Sequence, residues 1–540
     1  MTSSDTENRL RALRSHPFAA GIGIALLAVL LVSISFALQA HIFLNLSDEG
    51  FLWYGTWRAS LGEVPIRDFQ SYEPGRYYWG AFWFQFLGDG IIALRTSNAI
   101  FQCIGLTFGL LVLRRLSQRL DFLFVSGLML LVWMYPRHKL FDVSIALAAV
   151  YVTLCLLEKP NLKRHFAAGI FVGIAAFFGR NHGLYGCVAL GLAILFSWRQ
   201  HDGPHWLHRG LSWSAGILVG SFPLLLMALF VPGYFDSVIE RISTMMEVGA
   251  TNVSQPIPWP WTIWTSPPAY LEPLGLGSLT GFIVGWFYLI WFVFLGAVGL
   301  QMLRNREPLT KERAVLFAAA LVSLPYLHHA SARAGITHLA QAIHPLLIGL
   351  LASAYLLART RHRYLVPATL LGLVVMSAGS IVMLSPLFLR LTAQDKFLIW
   401  GHVREDTILL RVDVVRAISK AERISRWFMN SDDSVFIAPR LPAYYPIMLR
   451  SAPVKEIYLT RKGSQEMQEA MREELESKNV RWAIIDDGML DNREELRFRN
   501  THPDVWRYIE ENFKPVTVRG LRENQTLFKR RGRKPKPTAG

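Results

Sequence analysis

Long apolar stretches alternate with short polar breaks through the first 390 residues, and this pattern changes abruptly beyond that point. Eleven stretches read as membrane-spanning helices: roughly 18–40, 92–113, 122–136, 140–157, 166–180, 183–198, 211–231, 280–302, 313–329, 337–357 and 364–386. Residues 76–90 are crowded with aromatics (Tyr77, Tyr78, Trp79, Phe82, Trp83, Phe84, Phe86) and close on Gly88-Asp89-Gly90. Amphipathic rings suit the headgroup level, so this stretch is read as an interfacial helix, not a span. Residues 231–279 hold Pro256, Pro258, Pro260, Pro267, Pro268 and Pro273 beside Trp259, Trp261 and Trp264. Proline at this density cannot continue a helix, which leaves a loop that either covers a cavity or anchors at the interface. From Leu391 onward, 434–438 and 482–485 read as buried strands, and 462–478 and 492–512 as helices, with Pro503 marking a start or break. They predict an α/β domain of roughly 150 residues.

Charge orders these spans. With the N-terminus cytoplasmic, the loops carrying Arg114, Arg115 and Arg119, residues 158–164, 199–209, 304–313 and 359–363 all fall inside, and each is rich in Lys or Arg. An odd number of spans then places the C-terminal domain outside. The first stretch, preceded by Arg9, Arg11 and Arg14, ends in Leu-Gln-Ala without a good small-x-small cleavage site, and is expected to be a retained signal anchor. The expected division is a cytoplasmic segment 1–17, a transmembrane domain 18–390 with a first external loop 41–91, an extracytoplasmic domain 391–528 and a basic disordered tail 529–540.

Composition agrees. The 540 residues are 52% hydrophobic with a mean hydropathy of +0.28. The formal charge of +16 would suggest nucleic acid in a soluble protein, but here topology accounts for most of it, and no nucleic-acid partner is expected. The Lys/Arg-rich end, 529–536, faces anionic lipid on this reading. Cys103, Cys155 and Cys187 lie in apolar stretches, with neither a disulfide framework nor zinc-ligand spacing.

The external loops carry the candidate chemistry. Acids gather on the first: Asp48 and Glu49, then Asp68 and Glu73, with Arg67 and Arg76 between and after. Cations and imidazoles gather on the others: Arg137-His138-Lys139 with Asp142 just inside the next span, Arg180-Asn181-His182-Gly183, and His328-His329 through Arg333 to His338. Carboxylates near lipid are costly, so their presence points to function. A carboxylate can take a proton from an acceptor hydroxyl, while Arg and His can hold a phosphate as it leaves. Arg58, Glu63, Arg67 and Asp68 read as loop-stabilising ion pairs. His328 and His329 are adjacent, and adjacent residues on a helix point apart, which disfavours a shared metal.

The first loop, Ser47-Asp48-Glu49-Gly50, then Gly62-Glu63-Val64-Pro65-Ile66-Arg67-Asp68-Phe69, then Tyr72-Glu73-Pro74-Gly75-Arg76-Tyr77-Tyr78, resembles that of the GT-C glycosyltransferases that use polyprenyl-phosphate sugars. These include protein O-mannosyltransferases, aminoarabinose transferases and rhizobial galacturonosyltransferases. Their loops often read Gly-x-x-Pro-Tyr-x-Asp-Phe followed by a Tyr-x-Pro-Gly-x-x-Tyr-Tyr-like stretch. Arg180 to Gly183 is similar to the family's Arg-x-x-Gly. Arg333 to His338 is similar to an Arg-x-Asp-x-x-His element, with Gly335 where the acid would stand. Where aminoarabinose enzymes carry Lys-Pro, this chain has Glu73-Pro74, so Arg76 is the candidate substitute for that lysine.

The resemblance implies a polytopic α-helical membrane protein of GT-C fold with about eleven transmembrane helices and a small α/β domain. It implies an inverting transfer of a hexosyl or pentosyl group from a polyprenyl-phosphate donor to a lipid, polysaccharide or protein acceptor. Asp48 would be the base with Glu49 assisting, and Arg76, Arg180, Arg333 and His338 would bind the donor phosphate. Glu73, His138, Lys139, Asp142 and His182 are secondary candidates. No cofactor is required by this arrangement; some relatives use a divalent metal, which these residues do not indicate. The expected location is a bacterial inner membrane. A transporter or flippase for a lipid-linked sugar is the alternative; it predicts midplane charges and paired broken helices.

Overall fold

The computed structural model describes residues 17–199, 204–248, 253–262, 277–360, 364–392, 398–518, 521 and 524–532. Contacts divide the chain into two compact units: Met1–Ala40, Arg95–Phe230 and Ser254–Leu391, and His41–Leu94, Val231–Val253 and Thr392–Gly540.

The first unit is helical. Among the described residues seven helices are long and apolar enough to cross a membrane: Ala19–Gln39, Ile91–Leu113, Arg137–Glu158, Arg180–Arg199, Leu279–Arg304, Lys311–Ser331 and Leu365–Leu384. Two bent pairs, Trp206–Gly220 with Phe222–Phe230 and Ile336–Ala342 with His344–Arg359, bring the count to nine. The remaining two expected spans fall on the shorter helices Leu120–Trp133 and Leu162–Phe178, of 14 and 17 residues, neither of which is long enough to be counted as a span. Arg137–Glu158 and Lys311–Ser331 are the most fully buried of the seven. They carry the core through Val143, Leu147, Leu154, Val315 and Val322.

Lipid tails are as apolar as leucine, so burying apolar surface does little to join helices in a membrane; close backbone approach and internal hydrogen bonds do more. Gly169 and Gly173 of Leu162–Phe178 meet Gly216 and Gly220 of Trp206–Gly220. A methyl built on Gly216 would lie 2.1 Å from the Phe166 carbonyl oxygen, and one on Gly169 equally close to that of Trp213. Elsewhere Trp133 Nε1–H donates to Ser377 Oγ at 2.7 Å, and the Tyr288 hydroxyl donates to the Ala330 carbonyl at 2.7 Å.

The second unit gathers the first loop, a helix from the proline-rich region and the C-terminal part. The loop supplies helices Asp48–Ser60 and Pro74–Leu87. Strands β1 (Leu398–Val403) and β2 (Asp406–Arg411) form an antiparallel hairpin. His41 and Phe43 extend it by exchanging backbone hydrogen bonds of 2.8 Å with Leu409. A four-stranded sheet has the order β3-β4-β6-β5. In it β3 (Val435–Ala438) runs parallel to β4 (Trp482–Asp486), while β6 (Gln525–Arg530) is antiparallel to both β4 and β5 (Phe513–Val516). Register pairs Ile437 with Ile484 and Ile484 with Leu527. Helices Gln465–Ser477 and Pro503–Asn512 contribute Met471, Leu475, Val505 and Ile509 to a core with Phe436, Ala483 and Ile485. β3 and β4 read as unbroken apolar runs because they are buried on both faces.

Three sequence expectations differ from what is found. The region 231–279 contains an amphipathic helix, Tyr234–Val248, ahead of its prolines. Pro267, Pro268, Pro273 and Trp264 lie outside the described residues. The helix expected over 492–512 is broken into Glu494–Leu496, Phe498–Thr501 and Pro503–Asn512, since Pro503 starts a helix and cannot continue one. Lys529 and Arg530, assigned to the tail, end β6. They are ordered there because Leu527 and Phe528 face the core and the Arg530 guanidinium lies 5.4 Å from the Phe513 ring centre. Residues 533–540 lie outside the described residues.

Candidate active site

Asp48 opens a helix. The side-chain oxygen of Asn45 accepts the backbone N–H groups of Ser47 and Asp48 at 2.9 and 3.0 Å, which caps the turn. A carboxylate at a helix N-terminus is favoured by the partial positive charge there. Both carboxylate oxygens of Asp48 are engaged: Asn45 Nδ2 donates to Oδ2 at 3.2 Å and the Tyr458 hydroxyl donates to Oδ1 at 2.5 Å. The side chain is half-buried. Glu49 is buried, and its Oε2 accepts the Asn45 backbone N–H at 3.4 Å, a contact that belongs to the turn.

Tyr458 comes from the extended segment after β3. This segment is stitched to the first loop by one glutamine. Gln70 Oε1 accepts the N–H groups of Ile457 and Tyr458 at 3.0 and 2.7 Å, and its own N–H donates to the Lys455 carbonyl at 2.8 Å. The Ala452 N–H donates to the Tyr54 hydroxyl at 3.0 Å. The ring of Phe51 packs between Tyr458 and Tyr72, with centroids 5.2 and 5.1 Å away. Burial, then the neighbouring Asp48 charge, hold the Tyr458 phenol well above its ordinary range, so it stays protonated and donates.

Glu73 and Arg76 belong to the same unit. Glu73 precedes helix Pro74–Leu87, and Arg241 of Tyr234–Val248 lies 3.7 Å from its carboxylate. Arg76 is buried, with its guanidinium 5.0 Å from the Tyr72 ring centre. The expected loop ion pairs are present: Arg58 Nε donates to Glu63 at 2.8 Å and Arg67 to Asp68 at 2.7 Å.

The helical unit carries the other candidates. His182 Nε2 and Asp142 Oδ1 are 2.5 Å apart, and both side chains are buried. His182 Nδ1 lies 2.8 Å from the Tyr326 hydroxyl, and the two rings stack. His329 sits between His182 and His338, with ring centres 6.4 and 6.0 Å away, and shares a 3.2 Å hydrogen bond with Gln341. His138 is buried in the turn Arg137–Lys139, which also holds Lys139. Arg180 begins the helix Arg180–Arg199, and Arg333 lies in the turn before Ile336–Ala342. A buried charge in a membrane is tolerated when paired, which Asp142 and His182 satisfy. Among the described residues no group of three His, Cys, Asp or Glu side chains is placed to hold a metal ion.

The structure therefore brings Asp48, Glu49, Glu73 and Arg76 into one unit and Asp142, His182 and His338 into the other. The sequence reading missed Asn45, Gln70, Arg241 and Tyr458. An Asn three residues before the acid is a capping signal that was available. Nothing in the primary pattern marks Gln70 or Tyr458.

A first polar loop with its own helices, a bundle of helices apolar enough to cross a membrane and a small C-terminal sheet make up an integral membrane protein whose fold is similar to that of solved GT-C structures. The crystal structure of ArnT from Cupriavidus metallidurans bound to undecaprenyl phosphate superposes with a TM-score of 0.52 at 12% identity, covering 95% of this chain and 98% of that one. The apo structure of the same protein gives 0.46 at 12% identity over 94% and 97%. The oligosaccharyltransferase AglB from Archaeoglobus fulgidus, in complex with an inhibitory peptide and a dolichol-phosphate, gives 0.42 at 10% identity over 93% and 73%. No protein-family model and no curated protein sequence matches the chain.

Proposed function

We propose that this protein is a membrane glycosyltransferase that moves a sugar from a polyprenyl-phosphate donor to a hydroxyl acceptor. The observation that carries the reading is Asp48, a half-buried carboxylate held at a helix N-terminus by two donors, in the first loop of a GT-C fold. The acceptor oxygen attacks the anomeric carbon and its proton passes to Asp48. The bond from that carbon to the phosphate oxygen breaks with inversion, and the polyprenyl phosphate departs with the electron pair. Arg76, Arg180, Arg333 and His338 are assigned to the phosphate, whose charge grows as it leaves. Glu49 supports the turn that presents Asp48. The acceptor is a lipid, polysaccharide or protein of the cell envelope, and no metal or other cofactor enters the scheme. The N-terminus is cytoplasmic and the C-terminal domain outside, in a bacterial inner membrane. The transporter alternative would also accommodate the two bent helix pairs, but no solved structure that this chain resembles favours it.

The test is transfer by purified protein from a panel of undecaprenyl-phosphate sugars, run beside Asp48→Asn. A general base contributes about 10²–10⁴-fold, so the variant should lose at least 100-fold in turnover while folding normally. Equal turnover by both proteins removes Asp48 from the mechanism.

A further inference from the structure

Asp48 receives a 2.5 Å hydrogen bond from Tyr458, a residue 410 positions later in the chain. Tyr458 is not placed by chance of side-chain reach. The backbone that carries it is fixed on both sides, by Gln70 at Ile457 and Tyr458 and by the Leu459 N–H, which donates to the Pro439 carbonyl at 2.8 Å just after β3. The phenol ring is held against Phe51, one helical turn after Asp48. Its hydroxyl oxygen is therefore held beside Asp48 Oδ1.

We infer that Tyr458 is a positioning residue for Asp48: it orients the carboxylate and keeps it ionised, with Gln70 fixing Tyr458 in turn. This deepens the transferase reading and rests on it. The chemistry is asymmetric. A hydroxyl that donates to a carboxylate favours the ionised form, so its removal raises the proton affinity of Asp48. The carboxylate also gains rotational freedom, and loss of alignment lowers turnover independently of ionisation.

Tyr458→Phe deletes the hydroxyl and keeps the ring packed on Phe51. Transfer from the panel of undecaprenyl-phosphate sugars is followed across pH for wild type, Tyr458→Phe, Gln70→Ala and Asp48→Asn. The acidic limb of kcat/KM should move upward by about 1–2 pH units in Tyr458→Phe, the worth of one hydrogen bond to a charged group. Turnover should fall on the order of tenfold with donor KM unchanged. Gln70→Ala, which leaves the hydroxyl in place but frees its backbone, should move the limb the same way by less. An unmoved limb in Tyr458→Phe, whatever its rate, overturns the inference while transfer that still depends on Asp48 leaves the transferase reading standing. Wild-type turnover in Asp48→Asn, or no transfer by the wild type, overturns both.

Discussion

Gly50 lies two residues beyond Asp48, on the helix face that meets the C-terminal part of the same unit. A methyl added there would lie 2.6 Å from both Cβ and the backbone nitrogen of Ala443 and 2.9 Å from its Cα, about 0.8 Å short of ordinary contact at 3.4 Å. Two of these three atoms are backbone, so no rotamer change relieves the clash. The nitrogen is committed too, since its N–H donates to the Leu46 carbonyl at 3.2 Å. Gly50→Ala gains about 0.5–1 kcal/mol of helix propensity. Overpacking of this kind costs about 1–3 kcal/mol, so the net expectation is a loss of up to about 2.5 kcal/mol. The helix must shift by most of an ångström, and Asp48 moves with it; misplacement on that scale costs about 100-fold in rate. The assay pairs thermal unfolding in detergent with transfer kinetics. Gly372→Ala, in a membrane helix where a methyl meets nothing within 4 Å, serves as the control and should be neutral or slightly stabilising. Wild-type stability and turnover in Gly50→Ala would refute the reasoning, because they would mean that the Gly50–Ala443 contact is not made.

Gly216→Ala should destabilise the helical unit by at least 1 kcal/mol, because the methyl collides with the Phe166 carbonyl; thermal unfolding in detergent reads it, with Gly210→Ala, at an open position, as the comparison. Glu456 carries a pH prediction. Desolvation raises its pKa from 4.5 to about 7 against the opposing pull of Lys455 and Arg241, so the folded state binds a proton more tightly than the unfolded chain. Stability from this group is full below about pH 4.5 and declines as pH rises through 7. Glu456→Gln should therefore flatten that slope and raise stability above pH 7 by about 1–3 kcal/mol, measured as unfolding midpoint against pH.

Spans were legible because each carries its own signal: enough apolar residues in a row to cross a bilayer, with arginine at one end. The same holds for β3 and β4, whose burial on both faces writes an unbroken apolar run. β5, Phe-Lys-Pro-Val, is hidden by its proline and its exposed middle, and becomes a strand only by pairing with β6. The helix Tyr234–Val248 was absorbed into a loop because of the prolines that cluster from Pro256 onward, although no proline falls between Tyr234 and Val248 and Val238, Glu240, Arg241 and Ile242 already alternate with helical period. In the candidate site, Asp48 was legible because a carboxylate beside a span is conspicuous. Tyr458 was not, because the segment bearing it is extended, aperiodic and stabilised by a glutamine far away in sequence. Asp142 was read just inside one span and His182 in a separate outer turn, and only the folding of two helices makes them one hydrogen-bonded pair.

The separation between Asp48 and Tyr458 also has a consequence in time. A ribosome adding about 5–20 residues per second needs about 20–80 s to pass from one to the other, a gap of 410 residues. During that interval the first loop is already synthesised while the segment that holds its carboxylate is not. A nascent or truncated chain ending before residue 458 can insert into the bilayer but lacks the finished constellation. If the proposed transfer holds, competence arrives only near the end of synthesis, and partial chains would not consume a lipid-linked donor.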